Sequence, residues 1–306
     1  MALRELEIGQ FKDFCDEVEG SSLEELTESI WPDGSHDPKT TLVPVAERHF
    51  NSAATQWAWL AELKGNIGHY REFYDRLADQ KSKDTLTTII HYRLTWNAAH
   101  LIETIDGQKY FDWSLIGRPA DATYVDGGAF DGGSVVNFVN TYGDEYKAIH
   151  AFEPFPDSFA VLEENCGEYR DTALVNKGLW DKSETLSYVG TNQSVSVAST
   201  PDETVESGGS FETVALDDYF KGTEAPSLIK MDMEGAELKA LNGAQRVIKA
   251  GMPALAICVY HLVDDLRTIP QAITGISDSY DLTMRNYKTR GSAEIVLYAR
   301  PQVGAV

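Results

Sequence analysis

The rhythm of apolar positions changes near Asp121, and the two rhythms predict two kinds of structure. Upstream, apolar residues recur at helical spacing. Ile8, Phe11, Cys15 and Val18 fall on one face, as do Tyr70, Phe73, Tyr74 and Leu77, and then Leu86, Ile89, Ile90 and Leu94. Ser82 precedes the last stripe as a candidate N-cap. Residues 1–120 therefore read as a helical region, broken between Trp31 and Pro38 by a run of turn-forming residues.

Downstream, short β-rich runs alternate with helical stretches. Strands are expected at Thr123–Gly128, Ala148–Glu153, Thr172–Leu179, Ser227–Asp232, Ala254–Tyr260, Asp281–Tyr287 and Glu294–Ala299. Helices are expected at Gly132–Tyr142, Pro156–Glu168, Ala236–Ala250 and Val263–Gly275. This alternation predicts right-handed crossovers and an α/β fold built on a mainly parallel, Rossmann-like sheet. The last two runs are joined only by Lys288–Ala293, too short for a parallel crossover, so they should close the sheet as an antiparallel hairpin. Residues 121–306 form the expected second region. The segment Gln193–Gly209, rich in Ser, Thr and Gly, reads as an insertion near the site, either a lid or a surface loop.

Charge and cysteine usage narrow the partners. With 26 basic against 48 acidic residues the formal net charge is −22, which repels nucleic-acid backbones and anionic lipid surfaces and suits an acceptor that is neutral or cationic overall. Cys15, Cys166 and Cys258 lie far apart without metal-ligand spacing. Isolated thiols, an acidic start and the lack of a long apolar run suggest a soluble, cytoplasmic protein with no membrane partner.

The run Tyr124-Val-Asp-Gly-Gly-Ala-Phe-Asp-Gly-Gly133 carries the first candidate chemistry. A strand ending in an acid and breaking into Gly128, Gly132 and Gly133 lets backbone approach a nucleotide ahead of a helix; a tight turn with no ligand would need the same glycines. Asp126 at the strand end could take the amino group of a methionine moiety. Glu153 ends the next strand and is placed to accept both ribose hydroxyls, which implies an unphosphorylated 2′-position. Asn176 could lie beside an adenine or serve a turn.

Two further strand ends supply reactive groups. In Leu228-Ile-Lys-Met-Asp-Met-Glu-Gly-Ala-Glu237, alternation aims Asp232 and Glu234 the same way if the strand persists, whereas Glu237 suits the N-terminus of the following helix. Lys230, inside the strand, must snorkel or pair with a carboxylate. Cys258-Val-Tyr-His261 ends the next strand, and His261 suits a general base for a hydroxyl proton. Asp232, Glu234 and His261 could also ligate a divalent metal; metal-free base catalysis is the preferred reading. Trp57, Trp59, Tyr70, Phe73, Tyr74 and Tyr92 are read mostly as core, with a minority role in lining an acceptor pocket.

Taken in order, VDGGAFDGG, FEPFPDSFAVLEEN, LIKMDMEGAELKALNGA and PALAICVYHLVDDLRTIP resemble the FkbM family of S-adenosylmethionine-dependent methyltransferases over roughly residues 121–300. IKMDMEGAE is the most specific segment, and Phe130 with Asp131 departs from the family's glycine loop. The resemblance implies a seven-strand methyltransferase fold and methyl transfer to a hydroxyl of a sugar, glycan or polyketide-like acceptor. It would place Asp126, Gly127, Gly128, Ala129, Gly132, Glu153, Asn176 and Asp232 at the cofactor, and His261, Asp232 and Glu234 at the reacting oxygen. The N-terminal helices would then cap the cleft or form a homodimer. A nicotinamide-dependent oxidoreductase shares the glycine loop and the ribose acid but explains neither IKMDMEGAE nor the hairpin; a non-catalytic cofactor-binding module is the other alternative.

Overall fold

The structure, a computed structural model, describes residues 11–32, 53–99, 101–191, 194–197, 209–288, 294–302 and 304. The chain divides into two compact units. One comprises Met1–Lys109, Val259–Pro270 and Asp281–Leu297; the other comprises Tyr110–Cys258, Gln271–Tyr280 and Tyr298–Val306.

The first unit is built on α1 (Phe11–Gly20), α2 (Leu23–Ile30), α3 (Ala53–Arg76), α4 (Gln80–Thr95) and the single turn α5 (Leu101–Thr104). The apolar stripe of α1 buries Phe11, Phe14, Cys15 and Val18, and Phe11 stacks on Tyr74 at 4.6 Å between ring centroids. Ser22 and Glu25 form a reciprocal capping box on α2. The N-cap of α4 is Asp79, not Ser82: the Asp79 carboxylate accepts from the Ser82 amide at 2.7 Å. Ser82 lies three residues inside the helix, where its hydroxyl accepts from Met284 N and Arg285 Nη1, each at 2.8 Å. Tyr70, Phe73, Tyr74 and Trp59 are buried, as the core reading expected; Trp57 and Tyr92 are half-buried. Most of the turn-rich run from Trp31 to Pro38 lies outside the described residues.

The second unit begins with α6 (Trp113–Ile116) and runs through β1 (Thr123–Gly127), α7 (Gly133–Tyr142), β2 (Ala148–Phe152), α8 (Pro156–Cys166), β3 (Thr172–Val175), β4 (Gly178–Leu179), β5 (Thr185–Thr191), β6 (Ser194–Val197) and β7 (Gly209–Val214). It continues through α9 (Leu216–Tyr219), β8 (Leu228–Met231), α10 (Glu237–Asn242), α11 (Gln245–Gly251) and β9 (Ala254–Cys258). The chain ends with α12 (Asp265–Ile276), β10 (Tyr280–Asn286) and β11 (Ile295–Pro301).

Seven of these strands form one sheet in the order β10-β11-β9-β8-β1-β2-β3, parallel through its centre and closed by the expected C-terminal hairpin. Its central strands β8 and β9 are buried at every position, as a parallel sheet covered on both faces requires. Tyr124 stacks on Phe138 of α7 at 4.5 Å, and Phe138 stacks on Tyr142 at 5.0 Å, so an aromatic pile fixes the crossover helix against β1.

Two expected elements are divided. The run Thr172–Leu179 breaks at Asn176, and its second half joins a separate four-stranded sheet, β4-β7-β5-β6. The segment Gln193–Gly209 belongs in part to this sheet, through β6 and the first residue of β7; the rest of it lies outside the described residues. The helix expected over Ala236–Ala250 is two helices, divided where Ala244 leaves helical geometry at φ −121°; glycine is required beside it, because a Cβ at Gly243 would stand 2.1 Å from the Trp180 carbonyl oxygen. All three cysteines are buried thiols, and no helix among the described residues is long and apolar enough to cross a membrane.

Candidate active site

β1 and β8 are parallel neighbours where the strand order reverses, so their carboxyl ends open side by side, with Gly127 opposite Met231. At this switch point Lys230 reaches across from β8. Its Nζ donates to Asp126 Oδ1 at 2.8 Å, to the Gly128 carbonyl at 2.8 Å and to the Gly127 carbonyl at 3.2 Å. Ser134 of α7 donates to the other Asp126 oxygen at 2.5 Å. Both partners of the ion pair are out of solvent, with side-chain exposures of 3% and 0%. Burial alone would lower the Lys230 pKa; Asp126 and, next, Asp232 outweigh it and hold the ammonium above the ordinary lysine value. The carboxylate that the sequence offers to a ligand's amino group is thus engaged by Lys230, and Lys230 resolves to the paired alternative.

The glycines of the loop serve close approach within the protein. Gly128, at φ 73°, would place a Cβ 2.0 Å from the Asp232 carbonyl oxygen, and Gly132, at φ 86°, would place one 2.5 Å from Cys166 Sγ. The loop amides are also engaged. Gly128 N and Ala129 N donate to the Phe152 carbonyl, Phe130 N to Glu153 Oε2, Gly132 N to the Ala129 carbonyl and Gly133 N to Asp131 Oδ1, all between 2.8 and 3.1 Å. Phe130, at φ 50°, is an exposed aromatic carried on this loop.

Glu153, one residue past β2, is 4% exposed. Its carboxylate accepts from Phe130 N and Phe155 N, each at 3.0 Å, and so joins the glycine loop to the start of α8. Burial pushes its carboxyl pKa up, against the lowering influence of those two amides. Asn176 donates its amide to the carbonyls of Glu153 and Pro154 at 2.8 and 3.2 Å, the turn-side role.

β8 stops at Met231, so strand alternation does not extend to Glu234. Glu234 is exposed in a left-handed turn at φ 56°, ahead of Gly235 at φ 95°. Asp232 is half-buried; its amide donates to the Gly127 carbonyl and its Oδ2 accepts from the Tyr110 hydroxyl at 2.5 Å. Glu237 accepts from Met233 N at 2.6 Å, a local bond at the entry to α10.

Tyr110 was not legible as a site residue. It is buried at φ 70°, its amide donates to the Tyr298 hydroxyl at 2.8 Å, and its ring lies 5.4 Å from Lys230 Nζ. Nothing local in Gly-Gln-Lys-Tyr-Phe-Asp-Trp distinguishes it from a core tyrosine; only its strained backbone marks it, and that is a property of the fold. His261 belongs to the first unit, three residues past β9, where it is 4% exposed with its ring 4.0 Å from that of Tyr260.

With this geometry in place, the comparisons with known proteins are specific. Residues 126–271, from the acid that ends β1 into α12, match the methyltransferase FkbM domain. These residues form an FkbM methyltransferase domain. The crystal structure of a methyltransferase FkbM from Methylobacillus flagellatus KT superposes with a TM-score of 0.67 at 24% identity, over 80% of this chain and 62% of that one. This chain thus spans less than two thirds of the Methylobacillus protein, and the likeness shows the fold. An rRNA methylase from Streptococcus thermophilus (TM-score 0.39, 12% identity, 68% of this chain and 96% of that one) is more distant. So is a precorrin-6y C5,15-methyltransferase from Geobacter metallireducens GS-15 (TM-score 0.38, 14% identity, 65% and 94%). No curated protein matches the chain.

Proposed function

We propose that the protein is an S-adenosylmethionine-dependent O-methyltransferase acting on a hydroxyl of a sugar, glycan, polyketide or related small molecule. The observation that carries this reading is the engaged set of amides in the FkbM domain's glycine loop. A dinucleotide needs exposed amides at such a turn for its pyrophosphate. Here the amides of Gly128, Ala129, Phe130, Gly132 and Gly133 all have acceptors within the protein, and the carboxylates of Asp131 and Glu153 stand among them. The loop therefore suits a nucleoside that carries no phosphate and bears positive charge at its other end.

Under this reading Glu153 holds the ribose hydroxyls, since a carboxylate that accepts two amides keeps about two further lone-pair positions. The backbone of Gly127, Gly128, Ala129 and Gly132 frames the methionine moiety, Asn176 holds the turn beside it, and Asp126 acts through Lys230 by fixing the loop's path. Asp232 lies between cofactor and acceptor. Bound S-adenosylmethionine supplies a methyl group on a sulfonium, a leaving group that needs no protonation. The chain's own tasks are to align the acceptor oxygen and to remove its proton. His261 is the base we assign, with Asp232, oriented by Tyr110, assisting.

Calorimetry and a methylation assay test this together. S-adenosylmethionine should bind, and nicotinamide dinucleotides should not. His261→Ala should keep cofactor affinity within about twofold and lose at least ~100-fold in turnover, the usual size of a general-base contribution. Binding of a nicotinamide dinucleotide in preference to S-adenosylmethionine would overturn the assignment, and full turnover in His261→Ala would remove the base.

A further inference from the structure

One cation in the first unit has no function in the reading above. Arg93, in the last turn of α4, is 9% exposed, and its guanidinium carbon lies 3.5 Å from the centre of the Trp59 ring. Nη2 makes one long bond, 3.4 Å, to the carbonyl of Val259. Nη1 is buried and has no acceptor. Among the described residues no carboxylate forms an ion pair with it. Burial lowers the guanidinium pKa to about 9, with Tyr70 and Asp265 acting in the opposite sense, so it remains charged at neutrality.

Buried charges are normally paired, because an uncompensated one forfeits its hydration. A guanidinium stacked on tryptophan, with one nitrogen fixed and the other left without an acceptor, is arranged for an anion that arrives with a ligand. We propose that Arg93 Nη1 binds a carboxylate of the methyl acceptor. The inference rests on the methyltransferase reading and narrows the acceptor to a hydroxy-carboxylic acid, such as a uronic acid. A carboxylate fits better than a phosphate: one free nitrogen matches one oxyanion, and nearby Asp265 together with a net charge of −22 opposes a dianion. The carbonyl that Arg93 holds belongs to Val259, two residues before His261. A carboxylate anchored there would lie along the segment that carries the proposed base. For a single charge this reverses what the overall acidity implies about the acceptor.

The test needs no turnover. Melting temperatures are measured for the full chain, Arg93→Met and Arg93→Lys, alone and with D-glucuronate, D-galacturonate or 3-hydroxybutyrate. Each acid is set against its neutral counterpart, glucose, galactose or 1,3-butanediol, at matched ionic strength. Without ligand, Arg93→Met should melt at or above wild type. A fall of more than about 2 °C that Arg93→Lys restores would mean that the cation is structural, and would overturn the proposal. With ligand, at least one acid should stabilise wild type more than its neutral counterpart, and Arg93→Met should lose that difference. No acid exceeding its counterpart, or an undiminished difference in Arg93→Met, would also overturn it. Failure of S-adenosylmethionine to bind would sink the methyltransferase reading by a separate measurement.

Discussion

Replacing Lys230 by methionine should strand a carboxylate where no water can reach it. Asp126 is 0% exposed and would keep the Ser134 hydroxyl, with the Tyr124 hydroxyl beside it, but no cation among the described residues. Breaking a buried pair from one side costs about 3–5 kcal/mol, chiefly the desolvation of the remaining charge. The Gly128 carbonyl loses its Lys230 donor as well, whereas the Gly127 carbonyl keeps the Asp232 amide. At ~2 °C per kcal/mol for a chain of this size, the melting temperature should fall by about 6–10 °C. The second variant isolates the cause. Adding Asp126→Asn removes the stranded charge and nearly preserves shape, so the double variant should recover at least about 2 kcal/mol of the loss. Urea titration of wild type, both single variants and the double variant completes the cycle. A loss below about 1 kcal/mol in Lys230→Met, or a double variant no better than Lys230→Met, would show that the pair does not hold the loop in the way argued.

Two further outcomes follow from local geometry. Gly128→Ala should cost about 2–4 kcal/mol, about 1 for the left-handed backbone and the rest for displacing the Asp232 carbonyl, whereas Gly222→Ala, at φ 79° in a turn with nothing within 4 Å, should cost only about 1; equal melting shifts would refute the close-approach argument. At Asp79, burial would raise the carboxyl, but hydrogen bonds from Arg285 and Ser82 overcome it and hold the pKa below its ordinary value. A depressed folded pKa gives stability that is present above the unfolded value, about 3.9, and is lost as pH falls through the folded value. Asp79→Asn keeps the helix cap and removes the charge, so its deficit relative to wild type should be full at pH 7 and shrink below about pH 4; a deficit constant with pH in thermal melts would refute it.

The sheet was legible because most of its strands are short, mainly apolar runs separated by recognisable helices, and each expected main-sheet strand falls within a few residues of an observed one. The four-stranded sheet was not. Its segments are rich in Ser, Thr and Gly, and what orders them is distant packing: Phe155 meets Tyr188 and Phe211 with ring centroids 5.0 and 5.5 Å apart. Local composition cannot report that contact. Glu153, Asp232 and Lys230 could be recognised as notable because a charge at a strand end, or inside a buried strand, demands a partner. The identity of the partner could not. Lys230 finds Asp126 across the strand order, and Tyr110 finds Asp232 from 122 residues away. The break at Gly243 was legible, since Asn242-Gly243 is a turn-forming pair inside the helical run, whereas the Trp180 carbonyl that packs against it was not.

The buried cysteines give the two units separate clocks. Burial raises the thiols of Cys15, in α1, and Cys166, in α8, to about 11, so neither holds an appreciable thiolate fraction at neutral pH while its helix is packed. Alkylation at either position must wait for its surroundings to open. Because Cys15 lies in the first compact unit and Cys166 in the second, peptide-resolved labelling at these two positions would time the opening of each unit independently in one sample. Any ligand that slows modification at one sulfur and not the other would thereby declare which unit it holds.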